Sequence, residues 1–184
     1  MPIARYRSLR SMRAMTLVEL MIVVAIIGVF AATAIAGYRK WMLGSKGKSE
    51  ADDAMLGMAA GIKGYYDASR GYLDCSSNFD DFYPLTPNGR KHTLNYGAHP
   101  GYPCWSLYNV QKGGHTYMSF AVRAGTATDA VPALPWEPTY TWPKPTGPWF
   151  VLVGTTDLDG DGTYGRYVIS SFAPGMIMRN NEGE

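Results

Sequence analysis

The stretch RAMTLVELMIVVAIIGVFAATAIAGY, residues 13–38, joins a membrane-length apolar run to a single carboxylate near its start. As a helix, residues 15–36 would span about 33 Å, which is enough to cross the hydrocarbon core of a bilayer. Glu19 lies inside this run, although a charged side chain costs roughly 2.5–3.5 kcal/mol at the centre of a bilayer and less near an interface. The sequence therefore indicates a segment that does more than anchor the chain.

Positive charge is concentrated directly ahead of the apolar run. Four arginines lie in the first fourteen residues, which contain no acidic residue. The 184-residue chain has a net charge of +2, whereas the chain without this leader has 13 basic and 15 acidic residues, a net charge of −2. The positive-inside rule places the leader in the cytoplasm and the following chain outside. Because the basic excess lies in the leader, composition gives no firm support for a nucleic-acid partner.

Three kinds of segment begin with an arginine-rich leader and an apolar run. A secretory signal would be cleaved after the small residues that end at Ala36, and a plain anchor would keep the whole run. The order A-M-T-L-V-E from Ala14 to Glu19, followed by about twenty apolar residues, resembles the class III signal of type IV prepilins and pseudopilins. In that family a small residue precedes the cleavage site, and a hydrophobic residue, Thr, Leu, any residue and Glu follow it. We favour this third interpretation because it explains the carboxylate.

The resemblance implies a processing site and an assembly residue. A two-function inner-membrane peptidase would cut between Ala14 and Met15 and then methylate the new amine of Met15. Glu19 would pair with the Met15 amine of a neighbouring subunit, although Met15 of its own chain lies one helical turn away and competes. Three positions depart from the commonest pattern, because Ala14 replaces Gly, Met15 replaces Phe, and Ala36 stands where a proline is frequent.

The resemblance also implies a function. We expect a structural subunit of a type IV pilus-like filament, a major or minor pilin, that assembles with copies of itself or other pilins through pilus assembly machinery. The expected location is the bacterial inner membrane for the prepilin, and the cell surface for the pilus or the periplasm for a pseudopilus. A type II secretion pseudopilin is the alternative within this class, and a membrane-anchored or secreted lectin-like domain is the alternative outside it. The sequence contains no G-x-S-x-G or H-E-x-x-H motif, and we expect no enzyme.

The residues after the apolar run predict an α+β head. Met55, Met58 and Ile62 recur at helical spacing, which indicates that the second half of a long N-terminal helix packs on a sheet. The resemblance implies the same architecture, the pilin fold, with a small antiparallel sheet. Alternation and β-branched or aromatic content predict strands at residues 116–123, 149–156 and 166–172.

These patterns divide the chain into five parts. The parts are a prepilin leader at 1–14, a transmembrane and filament-core helix at 15–36, an amphipathic helix at 37–71, a helix-to-sheet loop at 72–115, and the antiparallel sheet with its C-terminal loop at 116–184. Six prolines from Pro132 to Pro148 exclude a central strand, so residues 131–149 are expected to form a surface loop. Its three tryptophans either pack beneath the loop or remain exposed for binding.

Two cysteines, Cys75 and Cys104, fall in the helix-to-sheet loop. In an exported head they would pair, because oxidising compartments favour disulfides. By the loop-entropy model such a bridge would stabilise the fold by roughly 3–4 kcal/mol. The alternative is a pair of buried free thiols.

The sequence TTDLDGDGTYG, residues 155–165, predicts either a calcium site or a tight turn. Asp157, Asp159 and Asp161 alternate as they do at the beginning of an EF-hand loop, and Ca²⁺ prefers such oxygen ligands. Val168 stands where the bidentate Glu of an EF-hand belongs, so a complete EF-hand is excluded. The alternative is a hairpin turn of the Asp-Gly type between two strands. The resemblance adds that some pilins and pseudopilins carry calcium at similar loops, so we keep Ca²⁺ as the candidate ligand. We expect that the protein requires no cofactor.

Overall fold

A computed structural model describes residues 15–108 and 114–182 of the chain. The predicted leader, including Ala14, therefore lies outside the described residues. The chain divides into two compact units, Met1–Arg39 and Lys40–Glu184. We call the second unit the head, and each unit is described by itself.

Helix α1 runs from Leu17 to Ser69 and contains 53 residues. Within the head, the buried face of this helix is formed by side chains three or four positions apart: Ala51, Met55, Met58 and Ile62. This spacing places all four on one side of a helix with 3.6 residues per turn. The helical periodicity predicted from the sequence therefore describes the face that packs into the core.

Shorter elements follow helix α1. In chain order they are β1 (His92–Thr93), α2 (Tyr102–Trp105), a 3₁₀ turn (Ser106–Tyr108), β2 (His115–Thr116), β3 (Ser119–Gly125), β4 (Trp149–Thr156), β5 (Gly165–Ser170) and β6 (Met178–Asn180). Strands β3 to β6 form a four-stranded antiparallel sheet in chain order, and β1 pairs with β2. The predicted α+β architecture with an antiparallel sheet is confirmed. Strand β4 has the predicted bounds, and the strand predicted at 166–172 is β5 at Gly165–Ser170. The strand predicted at 116–123 is divided, with Thr116 in β2 and the rest beginning at Ser119 in β3, and the short strands β1 and β6 were missed.

The central strands of the sheet, β4 and β5, are buried on both faces. Leu152 and Ile169 belong to the cluster that contains helix α1, whereas Val151 and Val153 belong to a second cluster with residues of the proline-rich loop 131–149. The tryptophans of that loop lie in the second cluster, so the packing alternative is the correct one for them. All eight residues of β4 are buried. This two-sided burial explains why the strand has a nearly continuous apolar sequence and not a simple alternation.

Arg166 on β5 connects several segments of the head. Its guanidinium donates to Asp80 Oδ1 at 2.8 Å and to Thr155 Oγ1 at 3.1 Å. Three aromatic rings surround its Cζ atom, with centroids 4.6–5.5 Å away: Phe82, Trp136 and Tyr164. Because Arg166 is only 8% exposed, these partners replace the water that its charge loses on folding.

The predicted disulfide joins Cys75 to Cys104, whose Cα atoms are 5.5 Å apart. It ties the segment after α1 to helix α2 and excludes the alternative of two free thiols. Close by in sequence, the buried Tyr108 hydroxyl accepts a hydrogen bond from Leu73 N at 2.8 Å and donates one to Leu73 O at 2.6 Å. Burial raises the pKa of Tyr108, so its hydroxyl stays protonated and able to donate. The helix-to-sheet loop is thus held by a covalent bridge and by buried hydrogen bonds.

Two glycines of helix α1 allow a close approach by other parts of the head. A Cβ atom at Gly47 would collide with the side chain of Leu158, and a Cβ atom at Gly61 would collide with the carbonyl oxygen of Tyr108. Glycine lowers helix stability by up to about 1 kcal/mol relative to alanine. In α1 this loss of helix stability is offset by the close packing that the two glycines permit. The contact between Gly47 and Leu158 holds the acidic loop, residues 155–165, against the helix.

Candidate functional site

Thr16 and Glu19 form a reciprocal pair of hydrogen bonds at the start of helix α1. The backbone N–H of Glu19 donates to Thr16 Oγ1 at 3.2 Å, while the Thr16 N–H and hydroxyl donate to Glu19 Oε2 at 2.8 and 3.0 Å. This arrangement is a capping box, and it satisfies donors that the first turn of a helix leaves free. It also places a carboxylate at the positive end of the helix dipole.

The role of Thr16 was missed by the sequence analysis. Its signal was present, because Thr followed three positions later by Glu ahead of an apolar run is the signature of a capping box. In the uncleaved chain the Met15 nitrogen is an ordinary amide, so Glu19 has no nearby terminal amine of its own chain to pair with. Thr16 supplies its hydrogen bonds instead. The assembly role of Glu19 stays a prediction.

The predicted cleavage site is described on one side. Ala14 lies outside the described residues, whereas Met15 is described and 61% exposed. Helix α1 begins two residues after Met15, at Leu17. The chain directly after the predicted cut is therefore accessible and precedes regular helix.

The apolar segment Leu17–Ile35 is exposed along its whole length. It is long and apolar enough to cross a membrane, and it is the one such helix among the residues that the structure describes. Exposed side chains include Leu17, Ile27 and Phe30, at 60–75% exposure. Removing one large apolar side chain from water contributes about 1.5–3 kcal/mol, so a run of them strongly favours a lipid or protein environment. A segment with this surface needs a covering that the described chain itself does not supply.

The acidic loop brings three carboxylates together at the turn between β4 and β5. Oxygen atoms of Asp157, Asp159 and Asp161 lie within 4.8 Å of one another. Asp157 is buried, at 3% exposure, and the other two are exposed. Carboxylate oxygens at this spacing are the ligands that Ca²⁺ takes. Strands β4 and β5 pair antiparallel across this loop, as the hairpin alternative expects, but the connection is the longer segment 157–164 and not a tight Asp-Gly turn. Ca²⁺ binding stays a prediction.

Backbone hydrogen bonds hold the acidic loop in shape. Asp157 Oδ1 accepts from Gly160 N at 2.7 Å and its Oδ2 accepts from Gly162 N at 3.1 Å. Both glycines have positive φ angles, 78° and 86°, which a residue with a side chain rarely adopts. Asp161 Oδ1 accepts from Thr163 N at 2.7 Å. Because each carboxylate oxygen has a second lone pair, these bonds still leave acceptor capacity for a cation.

A comparison with protein families matches the N-terminal region. The family model described as the prokaryotic N-terminal methylation motif covers residues 9–35. This motif is the class III signal peptide of type IV pilins and pseudopilins, so the resemblance identified at Ala14 to Glu19 is confirmed. It supports a pilin- or pseudopilin-like precursor, which is a structural type of protein and not an enzyme family, and it implies processing by prepilin peptidase. No curated protein and no solved structure matches the chain.

Proposed function

We propose that this chain is a structural subunit of a type IV pilus-like filament, either a major or a minor pilin. A prepilin peptidase cuts between Ala14 and Met15 and methylates the Met15 amine. The mature chain stays in the bacterial inner membrane through residues 15–36 and then enters a helical filament with copies of itself or other pilins. The observation that carries the proposal is an apolar helix that is exposed along its whole length and lies within the matched methylation motif, residues 9–35.

The membrane and the filament core would both keep the exposed apolar segment away from water. The exposed segment Leu17–Ile35 needs an apolar surrounding, and lipid provides it before assembly. In a filament, the equivalent segments of neighbouring subunits replace lipid, and they do so by close packing because lipid tails are as apolar as the side chains themselves. The segment is therefore suited to move from membrane to bundle without exposure to water.

Glu19 gives such a bundle a means of setting the register between subunits. Cleavage converts the Met15 nitrogen from an amide into a methylated amine that carries a positive charge at neutral pH. A carboxylate and a cation in an apolar surrounding attract strongly, and a misplaced pair leaves a buried charge without a partner. Only the register that brings Glu19 close to a neighbouring amine avoids that cost.

Mass spectrometry of the N-terminal peptide tests the proposal. The chain would be recovered from membranes and from sheared surface filaments of cells that express the native gene. We expect a mature N-terminus at N-methylated Met15 in both fractions. A chain that begins at Gly37 would mean an ordinary secreted domain, and an intact leader in both fractions would mean a plain membrane anchor.

A secretion-system pseudopilin is the second candidate, because the matched motif is shared by pilins and pseudopilins. The same peptide measurement separates the two when fractions are compared. Methylated Met15 in sheared surface material supports the pilin. Methylated Met15 confined to membrane and periplasm, in cells that assemble other surface pili, supports the pseudopilin.

A further inference from the structure

A groove of about 350 Å³ runs along the side of helix α1 in the head, between the helix and the end of β5. Its size falls in the lower part of the range of small-molecule sites. We call it the aromatic groove and define it by the lining residues used below: Lys63, Tyr66, Asp67, Tyr72, Phe150 and Ser170. None of these residues belongs to the methylation motif or to the acidic loop.

One wall of the aromatic groove is a continuous series of rings. Tyr66 and Tyr72 stack with centroids 4.6 Å apart and an interplanar angle of 20°. The ring of Tyr72 packs against the ring of Phe150, with centroids 5.0 Å apart. Phe150 is buried, whereas both tyrosines are half-buried, so ring surface remains accessible from the groove. Tyrosine rings offer a rigid, amphipathic contact area that loses little conformational entropy when a ligand binds.

Polar groups of both signs stand beside this wall. Lys63 and Asp67 are exposed and one helical turn apart on α1, and neither forms an ion pair with another residue that the structure describes. Ser170 adds a hydroxyl at the end of β5. Burial raises the pKa of Tyr72, and the negative charges of the neighbouring Tyr66 and Asp67 raise it further. The Tyr72 hydroxyl therefore remains a donor at neutral pH.

This combination selects a ligand by its chemistry. The charges of Lys63 and Asp67 cancel, so the groove favours neither an anion nor a cation. The ring surface that the stacked tyrosines leave uncovered suits a ligand ring with an apolar C–H face, and the donors and acceptors suit hydroxyl groups around its edge. We propose that the aromatic groove binds a neutral sugar residue, with its apolar C–H groups against the uncovered ring surface of Tyr66 and Tyr72 and its hydroxyls on Lys63 and Asp67.

Two other cavities in the described part of the head lack this combination. A cavity of about 220 Å³ beside Glu50 and Asp53 has no phenylalanine, tyrosine or tryptophan in its lining. A cavity of about 340 Å³ in the proline-rich loop has Tyr140, Trp142 and Lys144 in its lining but no carboxylate, and Trp142 is engaged in the fold of the loop. The Trp142 Nε1 donates to Pro132 O at 2.9 Å, and the centroid of its ring lies 5.7 Å from that of Phe172.

Saturation-transfer NMR on the full chain tests the proposal. The chain would be held in phosphocholine micelles, because a sugar-based detergent would compete for the groove. The probes are methyl β-glucoside, methyl β-galactoside and N-acetylglucosamine. We expect transfer to the ring protons of at least one probe, with a dissociation constant on the order of 1 mM for a single sugar ring.

Three substitutions connect the signal to the groove. Asp67→Ala removes an exposed acceptor and should weaken binding at least fivefold. Ala60→Trp fills the groove from an exposed helix position and should abolish binding. Asp53→Ala is the matched control, because this exposed carboxylate lies on the same helix outside the groove, and it should leave binding unchanged. Near-ultraviolet circular dichroism checks that each variant keeps the folded head.

Clear results would overturn the sugar site. It is wrong if no probe shows saturation transfer, if Ala60→Trp binds as well as the original chain, or if Asp53→Ala weakens binding as much as Asp67→Ala. Tighter binding of glucuronate than of the neutral probes would also contradict the selection for a neutral ring. These measurements use the unassembled chain, so their outcome does not depend on whether the chain forms filaments.

Discussion

The apolar segment Leu17–Ile35 and the head are both rich in large apolar side chains, yet they bury them differently. No part of the segment is buried within the chain. In the head, residues of α1 such as Met55 and Ile62 are fully buried against the sheet. The head therefore obtains its core from one chain, whereas the segment requires lipid or other chains. Substitutions in the segment should change whether the chain enters filaments, and substitutions in the head should change the stability of its fold.

The largest effect is expected at Glu19, the charged residue of the apolar segment. Glu19→Ala should leave cleavage before Met15 and the folded head intact while removing the chain from filaments. The physical reason is that loss of one partner of a buried ion pair costs about 3–5 kcal/mol. Immunodetection of the chain in sheared and membrane fractions measures both effects.

Glu19→Gln is the matched control for this prediction. Glutamine closes a capping box as glutamate does, so the hydrogen bonds with Thr16 are kept and only the charge is lost. We expect Glu19→Gln to fail in assembly as Glu19→Ala does. Normal filaments from the glutamine variant would show that the start of the helix matters and the charge does not.

The disulfide should have the next largest effect, and it should act on the head alone. Replacing Cys75 and Cys104 by Ser should lower the free energy of unfolding by about 2–5 kcal/mol, because the unfolded chain is no longer constrained. Each kcal/mol corresponds to about 2–4 °C in Tm for a domain of this size. A melt of the full chain in micelles should show earlier loss of the near-ultraviolet tryptophan signal, while helix in the apolar segment persists. Simultaneous loss of both signals would contradict the distinction between the two regions.

Arg166 offers a test of what burial adds to an ion pair. Arg166→Met should lower the free energy of unfolding by about 2–3 kcal/mol, because it removes the guanidinium hydrogen bonds to Asp80 and Thr155 and the contacts with three aromatic rings. Arg179→Met is the matched control, because Arg179 also forms a 2.8 Å ion pair, with Asp52, but its side chain is 30% exposed. Exposed pairs contribute about 0–1 kcal/mol. Urea titration measures both variants, and equal losses would mean that the aromatic surroundings of Arg166 add nothing.

Tyr108→Phe should lower the free energy of unfolding by about 1–2 kcal/mol by leaving the backbone of Leu73 without its two hydrogen bonds. The variant should also change the alkaline limit of stability. Burial raises the pKa of Tyr108 above its usual value of 10. The stabilisation is therefore complete below pH 10 and is lost as the pH rises towards the pKa of the folded state. Urea titrations at pH 8 and pH 11 should show a smaller decline for Tyr108→Phe, and an equal decline would contradict this account.

The smallest effect is expected from calcium at the acidic loop. Calcium at ten times its dissociation constant should raise the free energy of unfolding by about 1.4 kcal/mol. Thermal melts with calcium and with EDTA should differ for the original chain and coincide for Asp159→Asn. Asp129→Asn is the control, because Asp129 is an exposed carboxylate in another loop, and its melts should keep the calcium difference. Identical melts for the original chain would leave the loop as a hairpin turn without a cation.

Local sequence patterns predicted the segment better than the head. The order of residues from Ala14 to Glu19 was sufficient to identify the processing motif, because that motif is read along one stretch of chain. The apolar run of β4 was predicted with the correct bounds. Arg166 was missed, since its partner Asp80 lies 86 positions away and no periodicity connects the two. The contact between Gly47 and Leu158 was missed for the same reason.

The sequence by itself determined the methylation motif, the exposed apolar segment and the α+β class, because each depends on residues adjacent in the chain or spaced by one helical or strand period. Tertiary structure alone decided that both faces of the sheet are covered, that the tryptophans of the proline-rich loop are packed, and that an aromatic groove opens beside α1. These features depend on surfaces that meet only when distant segments fold together. The burial and the environment of a residue such as Tyr108 or Arg166 therefore depend on the contact between distant segments and not on the sequence of either segment alone.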